Sequence, residues 1–556
     1  MRKYLCYILT ICMIFLVVLV GCGKRETEKR PSDDDSGKQT ITSDQESEDQ
    51  QTESDGQESE KQQTTGSNEE SGNQQATGDK ESENQPTMPD KNKEENIIVG
   101  DTFAKKTNVP EFQRIPLMQG SNISIGSVQD FGSRDYMVKV SGSTASEYKS
   151  YLDTLRSAGF KKHSDNGAEA MEGYVHTAAY TSGKLTVVVY HIIRENATYI
   201  TASYSRPLSE HLIYKDEYVK NLPKNAKTKV HLFQLANNGS CIIIQLKNGH
   251  FVIHDGGNTY DAPYFMDYMR NLVPSGKIVV EAWFISHPHG DHYGVLHEMY
   301  YNNPEYAKEF IVNGVYFHYP HRSMGSHTSE SEQCNGVFAT QFKDENGRIT
   351  KVYRPQLGQR YYFCDTIVDI CLTTEQLDPN TFGTDVNNTS FWCKTFIDGR
   401  KGQTILINGD SAQGGHNRAI ELYDKSYFVL DTYVVSHHGM NVYNNFVKHI
   451  TPKTLLYPCF RAGSLYKATG PEGQNWSHFA RETENAALRK KSQEYYSHGH
   501  GTVVMTFPYK VGQAQTLDIC KWEYDGGVPP GRTQHPPYGT YEWGWRKWDE
   551  NWLPIE

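Results

Sequence analysis

The chain has 556 residues and a formal net charge of −11 at pH 7, and much of its acidity lies near the N-terminus. This length predicts two to four domains and provides ample chain for a large core. No basic block stands out in the sequence, which argues against an extended cationic surface for nucleic acid.

Residues 1–22 have the pattern of a secretory signal. Arg2 and Lys3 precede an apolar stretch that ends in Leu-Val-Gly-Cys at positions 19–22. A short basic region, an apolar core and small residues before a cysteine are typical of such a signal. The ending resembles a bacterial lipoprotein lipobox, which implies cleavage before Cys22, lipidation of its sulfur and an anchor on the extracellular face of the cytoplasmic membrane. An uncleaved transmembrane anchor is the alternative, and both interpretations place the rest of the chain outside that membrane.

Residues 23–96 are predicted to form a disordered tether. Ile41, Ala76 and Met88 are its only clearly apolar residues, and it has no aromatic residue. Such a segment cannot bury enough surface to offset the entropy of the chain. About 75 flexible residues span roughly 45–50 Å root mean square, a reach that suits a tether lifting a catalytic unit from a membrane into a cell wall.

Residues 97–223 are predicted to form a small α+β domain. Thr144 followed by Glu147 indicates a capping box at the start of a helix, which Gly159 ends. Strand-like runs lie at 136–140, 173–180, 185–193 and 198–204. We therefore expect one helix on an antiparallel sheet. Because the region carries no catalytic pattern, we expect a docking, spacing or substrate-presenting role.

Residues 229–520 are predicted to form a large α/β domain. Strands are predicted at 231–235, 241–246 and 250–254, a helix at 261–272 and a buried strand at 278–285. Strands followed by helices, with polar residues at the strand ends, indicate a layered α/β architecture.

The sequence His287-Pro-His289-Gly-Asp291-His292 directly follows the strand at 278–285. Neutral imidazole and carboxylate are the usual protein ligands of zinc and similar ions. On a tight loop, positions spaced by two point to one side, so His287 and His289 could hold one ion. Asp291 and His292 then face a neighbouring position, which makes a second ion plausible.

Two later strands end in the same residue types. A strand that starts at residue 404 ends in Gly-Asp, with the aspartate at Asp410. A strand that starts at residue 431 ends in Ser-His-His-Gly, which contains His437 and His438. The sequence leaves open which of these two histidines is a ligand.

Together with Asp-Gly-Gly at positions 255–257, these motifs resemble the metallo-β-lactamase fold. The resemblance covers roughly residues 229–508 and implies a four-layer αββα sandwich with a metal site at one edge. It implies that Asp410 bridges two ions and that His437 or His438 is the final metal ligand. The predicted fold is thus an α/β sandwich, preceded by a small α+β domain and a disordered tether.

Within that fold, the chain most resembles the extracellular domain of the competence protein ComEC and its relatives. These proteins carry Asn-x-x-Ser, here Asn387 to Ser390, where other branches place a third histidine. They also carry Asn-x-x-His, here Asn475 to His478, before a helix. The resemblance implies that Asn475 and His478 lie near the metal edge and contact a phosphate or the leaving oxygen.

One departure concerns the first metal position. It would have His287, His289 and Asp410 as ligands, with no clear third histidine. Further histidines that could contribute lie in the insertion after the motif, at His318, His321 and His327. Exposed loop positions are the favoured interpretation for these three, and a weak first site or a single ion stays an open alternative.

Seven cysteines follow Cys22, an odd number without a close metal-ligand pair. Cys241 and Cys393 lie in apolar runs and are predicted to be core residues. Cys364 and Cys371 could pair across adjacent strands, which the sequence does not decide.

Residues 521–556 are rich in Pro, Gly and aromatic residues. A tail packed back onto the domain is the favoured interpretation. An aromatic surface for sugars or bases is the alternative, since amphipathic rings favour such contacts.

These features predict a secreted, lipid-anchored, metal-dependent hydrolase with two zinc ions, or manganese as the alternative. A divalent ion held by His and Asp lowers the pKa of its water toward neutrality. The resemblance favours a phosphodiesterase that acts on nucleic acid or a cell-wall phosphodiester through a metal-bound hydroxide. Asp291 is expected to orient the nucleophile, and Asp255 to orient the histidine loop. No protein partner is evident.

Two alternatives stay open. The same site could cleave another ester, a thioester, a lactone or a lactam, although the missing third histidine disfavours a lactam. The chain could instead be a non-catalytic cell-surface binding protein with a structural metal site. The small domain and the aromatic tail would then carry the function.

Overall fold

The computed structural model describes residues 102–131, 134–166, 171–235, 239–319, 351–377, 386–460, 482–498 and 501–517. The predicted signal, tether and aromatic tail lie outside these ranges, and so do His321, His327, Asn475 and His478. Within the described ranges, no helix is both long enough and apolar enough to span a membrane.

The first part of the described chain is an α+β unit built on one antiparallel sheet. Its strands are β1 (Ser124–Asp130), β2 (Asp135–Ser141), β3 (Lys161–Asp165), β4 (Val175–Ser182), β5 (Leu185–Ile192) and β6 (Ala197–Tyr204). They pair in the order β1-β2-β6-β5-β4-β3. Its helices are α1 (Phe103–Thr107) and α2 (Ala145–Ser157).

Helix α2 begins at the predicted capping box. The backbone amide of Glu147 donates to the Thr144 hydroxyl, and the Thr144 amide donates to the Glu147 carboxylate. Gly159 follows the helix with a left-handed φ of 84°. The predicted apolar face is buried against the sheet through Tyr148, Tyr151, Leu152 and Leu155. Local sequence therefore determines both the start of this helix and its orientation.

Strands β1 and β3 are not predicted by the sequence. Both lie at the edges of the sheet. Strand β3 is Lys-Lys-His-Ser-Asp, and Ser164 is its only buried residue. Strand β1 has no buried residue. Because so few side chains of these edge strands enter the core, no alternation of apolar and polar residues marks them in the sequence.

The rest of the described chain forms two further sheets. The first contains β7 (Lys229–Leu232), β8 (Cys241–Gln245), β9 (Phe251–Asp255), β10 (Ile278–Ile285), β11 (Phe310–Val312), β12 (Gly314–Phe317), β13 (Lys351–Tyr353), β21 (Thr502–Thr506) and β22 (Gln515–Leu517). The second contains β14 (Arg360–Phe363), β15 (Thr366–Leu372), β16 (Trp392–Ile397), β17 (Gln403–Ile407), β18 (Val429–Val434), β19 (Thr451–Phe460) and β20 (Gln493–His498). Their helices are α3 (Ala262–Leu272), α4 (Gly290–His297), α5 (Pro304–Ala307), α6 (Gln413–Leu422), α7 (Asn444–Val447) and α8 (Glu482–Arg489), and one π-helical turn spans Glu298–Asn302.

These two sheets pack face to face between layers of helices. The core between them combines residues of both, for example Ile244 and Phe284 from the first sheet with Ile370 and Ile405 from the second. Helices α3 and α4 cover the outer face of the first sheet, and α6, α7 and α8 cover part of the outer face of the second. This αββα sandwich, preceded by the α+β unit, confirms the predicted fold class.

The sheet of the α+β unit also contributes to the large core. Its face opposite α2 buries Val175, Tyr190 and Tyr199 in the same hydrophobic core as Leu372 and Trp392 of the second sheet. The α+β unit therefore completes the outer layer of the sandwich that the helices cover only in part.

The described cysteines are all free and buried: Cys241, Cys364, Cys371, Cys393 and Cys459. The structure thus confirms the core positions predicted for Cys241 and Cys393. The pairing of Cys364 with Cys371 that the sequence left open does not form.

The exposed position favoured for His318 is wrong. This histidine follows β12 and is fully buried, with Nδ1 at 2.5 Å from the Pro355 carbonyl oxygen. Its Nε2 lies 2.8 Å from Nη2 of Arg354 and 2.5 Å from Oε1 of Glu375. Those partners come from segments far along the chain, which is why the sequence around His318 does not predict the burial.

Candidate metal centre

The candidate ligands follow strands whose carboxyl ends meet at one edge of the sandwich. Strand β10 is parallel to β9, and the histidine motif follows it directly. Strand β17 is parallel to β18, and these two precede Asp410 and the His-His pair. Because parallel strands end on the same side of a sheet, the topology brings together residues that are more than a hundred positions apart.

One group of four residues converges on a single position: Asp291, His292, Asp410 and His438. His438 Nε2 lies 3.2 Å from Asp291 Oδ2 and 3.4 Å from Asp410 Oδ2. His292 Nε2 lies 3.1 Å from Asp410 Oδ1 and 3.8 Å from Asp291 Oδ2. We call these residues the four-residue group.

A second group contains His287, His289 and Asp410. His287 Nε2 lies 3.0 Å from His289 Nδ1 and 3.8 Å from Asp410 Oδ2. We call these residues the three-residue group. Asp410 belongs to both groups, as the predicted bridging position requires.

These separations fit the ligand shell of a divalent ion. Metal–ligand bonds of about 2.1 Å in a tetrahedral arrangement place neighbouring ligand atoms about 3.4 Å apart, close to the distances in both groups. His292 Nε2 is buried and has no hydrogen-bond partner in the described structure, although two carboxylates lie near it. A metal ion would satisfy this nitrogen and offset the charge of the buried carboxylates, so the residues fit a divalent metal.

Asp255 fixes the histidine loop, as predicted. Its Oδ1 accepts from the Ser286 amide at 2.8 Å, and its Oδ2 accepts from the Ser286 hydroxyl at 3.0 Å. Oδ2 also lies 2.8 Å from His292 Nδ1. A carboxylate on the far ring nitrogen leaves Nε2 of His292 as the ligand atom.

The loop that carries Asp410 is held from both sides. The backbone amide of Asp410 donates to the Ser390 hydroxyl at 3.2 Å, and the backbone carbonyl of Asp410 accepts from Asn441 Nδ2 at 2.8 Å. Gly409 before it has φ 53°, and a Cβ there would lie 2.6 Å from the Ser286 hydroxyl. The Asn387–Ser390 segment therefore lies beside Asp410.

The structure distinguishes between the two adjacent histidines. Both have left-handed backbone angles, with φ 49° at His437 and 54° at His438. His438 is buried and belongs to the four-residue group. His437 is 20% exposed and belongs to neither described group, although its Nε2 lies 3.5 Å from Asp410 Oδ2. The geometry therefore favours His438 as the ligand.

The electrostatics of the cluster match a site for positive charge. Burial of the His292 ring disfavours its protonation, but the carboxylates of Asp410, Asp255 and Asp291 outweigh burial and raise the pKa of His292 well above its usual value. Burial also lowers the pKa of His438, but the Asp410 and Asp291 carboxylates outweigh it and raise this pKa to about 9. In the absence of metal, protons on these two rings supply the charge that a cation would otherwise bring.

The three-residue group behaves differently. Burial, together with the neighbouring His292, lowers the pKa of His287 well below its usual value. The ring is thus neutral at physiological pH, which is the form that binds a metal.

Sequence reasoning missed the roles of two residues at this site. Ser286 bonds to Asp255, and its hydroxyl lies 3.0 Å from His287 Nδ1. Asn441 supports the carbonyl of Asp410. The position of Ser286, between a buried strand and the first histidine, could have drawn attention to it, whereas nothing local marks Asn441. His318 belongs to neither of the described ligand groups.

The fold and the site define an αββα protein with a histidine–aspartate cluster suited to divalent metals. No protein-family profile matches the chain, and no curated protein matches it by sequence. Solved structures similar to it include a metallo-β-lactamase HARLDQ-motif mutant from Cronobacter sakazakii, with 13% identity, 35% of this chain and 70% of that chain covered, and a TM-score of 0.22.

Two more similar structures are CmlA, a diiron β-hydroxylase from Streptomyces venezuelae, and a metallo-β-lactamase from Hirschia baltica. CmlA has 9% identity, with 58% of this chain and 69% of that chain covered and a TM-score of 0.28. The Hirschia protein has 8% identity, with 52% and 71% covered and a TM-score of 0.18. Because all three TM-scores lie below 0.5, we base the function on the geometry of the site itself.

Proposed function

We propose that this protein is a metal-dependent hydrolase that cleaves phosphodiesters. The observation that carries the proposal is the pair of ligand groups that share Asp410. Divalent ions in such a pair lower the pKa of bound water and can stabilise both the attacking and the leaving oxygen of a displacement at phosphorus.

The residues of the two groups have different tasks in this proposal. An ion held by the three-residue group would keep a position open for water or substrate, because tetrahedral coordination requires four ligands. Asp291 faces solvent more than Asp410 does, with side-chain exposures of 27% and 3%. We assign Asp291 the orientation of the attacking water and Asp410 the support of both ligand groups.

The described cysteines favour hydrolysis by water over a thiol nucleophile. All five are buried, and burial raises the pKa of each thiol above its ordinary value. Because the thiolate is the reactive form of cysteine, these side chains are inert.

Support for a phosphodiester comes from the segment beside Asp410. Asn387 and Ser390 stand where the resemblance places a third histidine in other branches, and Ser390 bonds to the Asp410 backbone. In this proposal Asn475 and His478 contact the phosphate or the leaving oxygen. The substrate is nucleic acid or a wall polymer, and a lipid on Cys22 anchors the enzyme at the extracellular face of the membrane.

Hydrolysis of bis-p-nitrophenyl phosphate with zinc or manganese tests this function. We expect turnover by the wild type and a decrease of about a hundredfold in His289→Ala, which removes a ligand of the three-residue group. His176→Ala is the matched control, because His176 is a half-buried histidine of the α+β unit. Equal rates in the wild type and His289→Ala would overturn the proposal.

The same protein preparation separates the alternatives. Turnover of nitrocefin or a thioester, with no release of p-nitrophenol from the diester, would assign a different bond. A metal-replete protein that is inert toward a broad ester panel but retained on cell-wall material would assign a binding role.

A further inference from the structure

The α+β unit reaches the metal centre through a chain of buried hydrogen bonds. The chain starts at Tyr190 of β5, which is fully buried in the core shared with the second sheet. The Tyr190 hydroxyl accepts from Nε2 of Gln376 at 2.8 Å. Gln376 lies in a single helical turn, Thr374–Gln376, which follows β15.

Gln376 also closes that turn. Its Oε1 accepts from the Thr373 amide at 2.9 Å and from the Thr373 hydroxyl at 2.7 Å. The Gln376 side chain therefore caps the turn through its oxygen and bonds to Tyr190 of the α+β unit through its nitrogen. Because Gln376 is 6% exposed, a change at either end leaves a buried polar atom unpaired, which is costly.

The turn contacts the segment that supports the metal site. Thr374 Oγ1 donates to the Thr389 carbonyl at 3.3 Å, and the next residue, Ser390, accepts from the Asp410 amide at 3.2 Å. The connection from Tyr190 to Asp410 thus passes through buried side chains and adjacent backbone.

A buried ion cluster fixes the same turn from its other side. Glu375 Oε1 lies 2.5 Å from His318 Nε2 and 3.5 Å from Arg354 Nη2. Arg354 Nη1 lies 2.8 Å from Asp135 Oδ2, and Asp135 belongs to β2 of the α+β unit. The turn is therefore tied to two strands of that unit, by a neutral contact and by a charged one.

We propose that the α+β unit is a built-in support for the metal centre, in which Tyr190 and Gln376 are positioning residues for Asp410. A metal ligand must be held within about 0.5 Å of its productive place, and Asp410 serves both ligand groups. The inference rests on the proposed metal centre but not on phosphodiester chemistry. It assigns the unit a structural task at the site rather than the docking or spacing role expected from the sequence.

Cobalt binding by the full-length protein tests this proposal without measuring activity. Protein stripped with a chelator is titrated with Co²⁺, and the visible absorption is recorded, because its intensity and shape depend on coordination geometry. Tyr190→Phe removes the hydroxyl and keeps the ring. We expect the Kd of the more weakly bound Co²⁺ ion to rise by about two- to thirtyfold in this variant, the range for residues coupled to a site through other residues. We also expect the visible absorption spectrum of the bound Co²⁺ to change.

Tyr151→Phe is the matched control. Tyr151 is equally buried in the same unit, and its hydroxyl donates to the Pro116 carbonyl at 2.8 Å, in the core around α2. The Tyr151→Phe variant loses a similar buried hydrogen bond but leaves the contacts of the Thr374–Gln376 turn unchanged. We expect the wild-type Kd and spectrum, even if thermal stability falls.

A double-mutant cycle completes the test. If Tyr190 and Gln376 act through one contact, Tyr190→Phe combined with Gln376→Met should raise the Kd no further than Gln376→Met alone. Wild-type Co²⁺ binding in Tyr190→Phe, equal changes in Tyr151→Phe, or additive effects in the double variant would overturn the inference. Failure of the wild type itself to bind Co²⁺ would instead overturn the proposed metal centre.

Discussion

The two ligand groups differ in how completely the protein closes them. The four-residue group supplies four ligand atoms to one position, while the three-residue group supplies three and shares Asp410 with it. Zinc sites with four protein ligands are typically structural, and catalytic sites keep one position open. On this ground we predict a tight, closed position beside a weaker position that carries the proposed chemistry.

The hydrogen-bond partners that orient the ligand histidines are also stronger in the four-residue group than in the three-residue group. In the four-residue group, His292 Nδ1 lies 2.8 Å from Asp255 Oδ2, and His438 Nδ1 lies 3.1 Å from the Pro458 carbonyl. In the three-residue group, His287 Nδ1 faces the Ser286 hydroxyl at 3.0 Å. A carboxylate or carbonyl on the far nitrogen orients a histidine and raises its basicity more strongly than a hydroxyl does. We therefore expect the four-residue group to bind metal more tightly.

Loss of the shared carboxylate should have the largest effect. Asp410→Asn removes a charge from both groups, and we expect kcat/KM toward bis-p-nitrophenyl phosphate to fall by about a thousandfold or more, since a metal site supplies several kcal/mol of transition-state stabilisation. Asp431→Asn is the control, because Asp431 lies at β18 in the same sheet and pairs with Lys453. A decrease of the same size in both variants would contradict the shared role of Asp410.

Single-histidine variants should separate the two positions. His289→Ala should lower turnover by about a hundredfold and leave one tightly bound zinc ion. His438→Ala should release the tight ion and lower the temperature of unfolding of the zinc-loaded protein, because metal that binds only the folded state stabilises it. Metal content and thermal unfolding of both variants check this, and identical profiles would show that the two groups are equivalent.

Loss of the support beneath the four-residue group should have a smaller effect. Asp255→Asn keeps the shape of the side chain but weakens its hydrogen bonds to Ser286 and His292. We expect the zinc affinity of the tight position to fall by about ten- to hundredfold, as for other residues that orient metal ligands. Competition with a chromophoric chelator measures this affinity, and an unchanged tight Kd would contradict the role of Asp255.

The smallest expected effect is on the pH dependence of stability in the metal-free protein. The pKa of His438 is raised to about 9 in the fold, against about 6.5 in the unfolded chain. Between these values the folded protein binds more protons, so its stability falls as pH rises from about 6.5 to 9. Urea unfolding across this range measures the effect.

His438→Gln provides the control for that experiment, because it removes the titrating ring. We expect a flatter profile for this variant. A metal-free wild type whose stability is constant or rises between these pH values would show that the carboxylates do not hold His438 in its protonated form.

Features that depend on local sequence could be predicted. The apolar run at 278–285 gave the bounds of β10, which the structure places at Ile278–Ile285. Thr144 and Glu147 predicted the capping box, because both partners lie within one helical turn. The motif spacing also separated His287 and His289 from Asp291 and His292, because residues so close in sequence are placed by the local backbone. The predicted tight loop is wrong for the second pair, since Asp291 and His292 lie in the first turn of α4.

Features that depend on distant partners could not be predicted. The burial of His318 requires Arg354 and Glu375, and the preference for His438 over His437 depends on where Asp291 lies. Neither contact leaves a trace in the sequence near the histidine. The packing of the α+β unit on the second sheet likewise could not be predicted, because the core that joins them combines residues far apart in the sequence.

The zinc content of full-length protein after equilibrium dialysis tests the central claim most directly. Wild type should hold two zinc ions per chain with distinct affinities, His289→Ala should keep only the tighter one, and Asp410→Asn should weaken both. A wild type that holds no zinc, or a His289→Ala variant that retains both ions, would contradict a closed and an open metal position joined by Asp410.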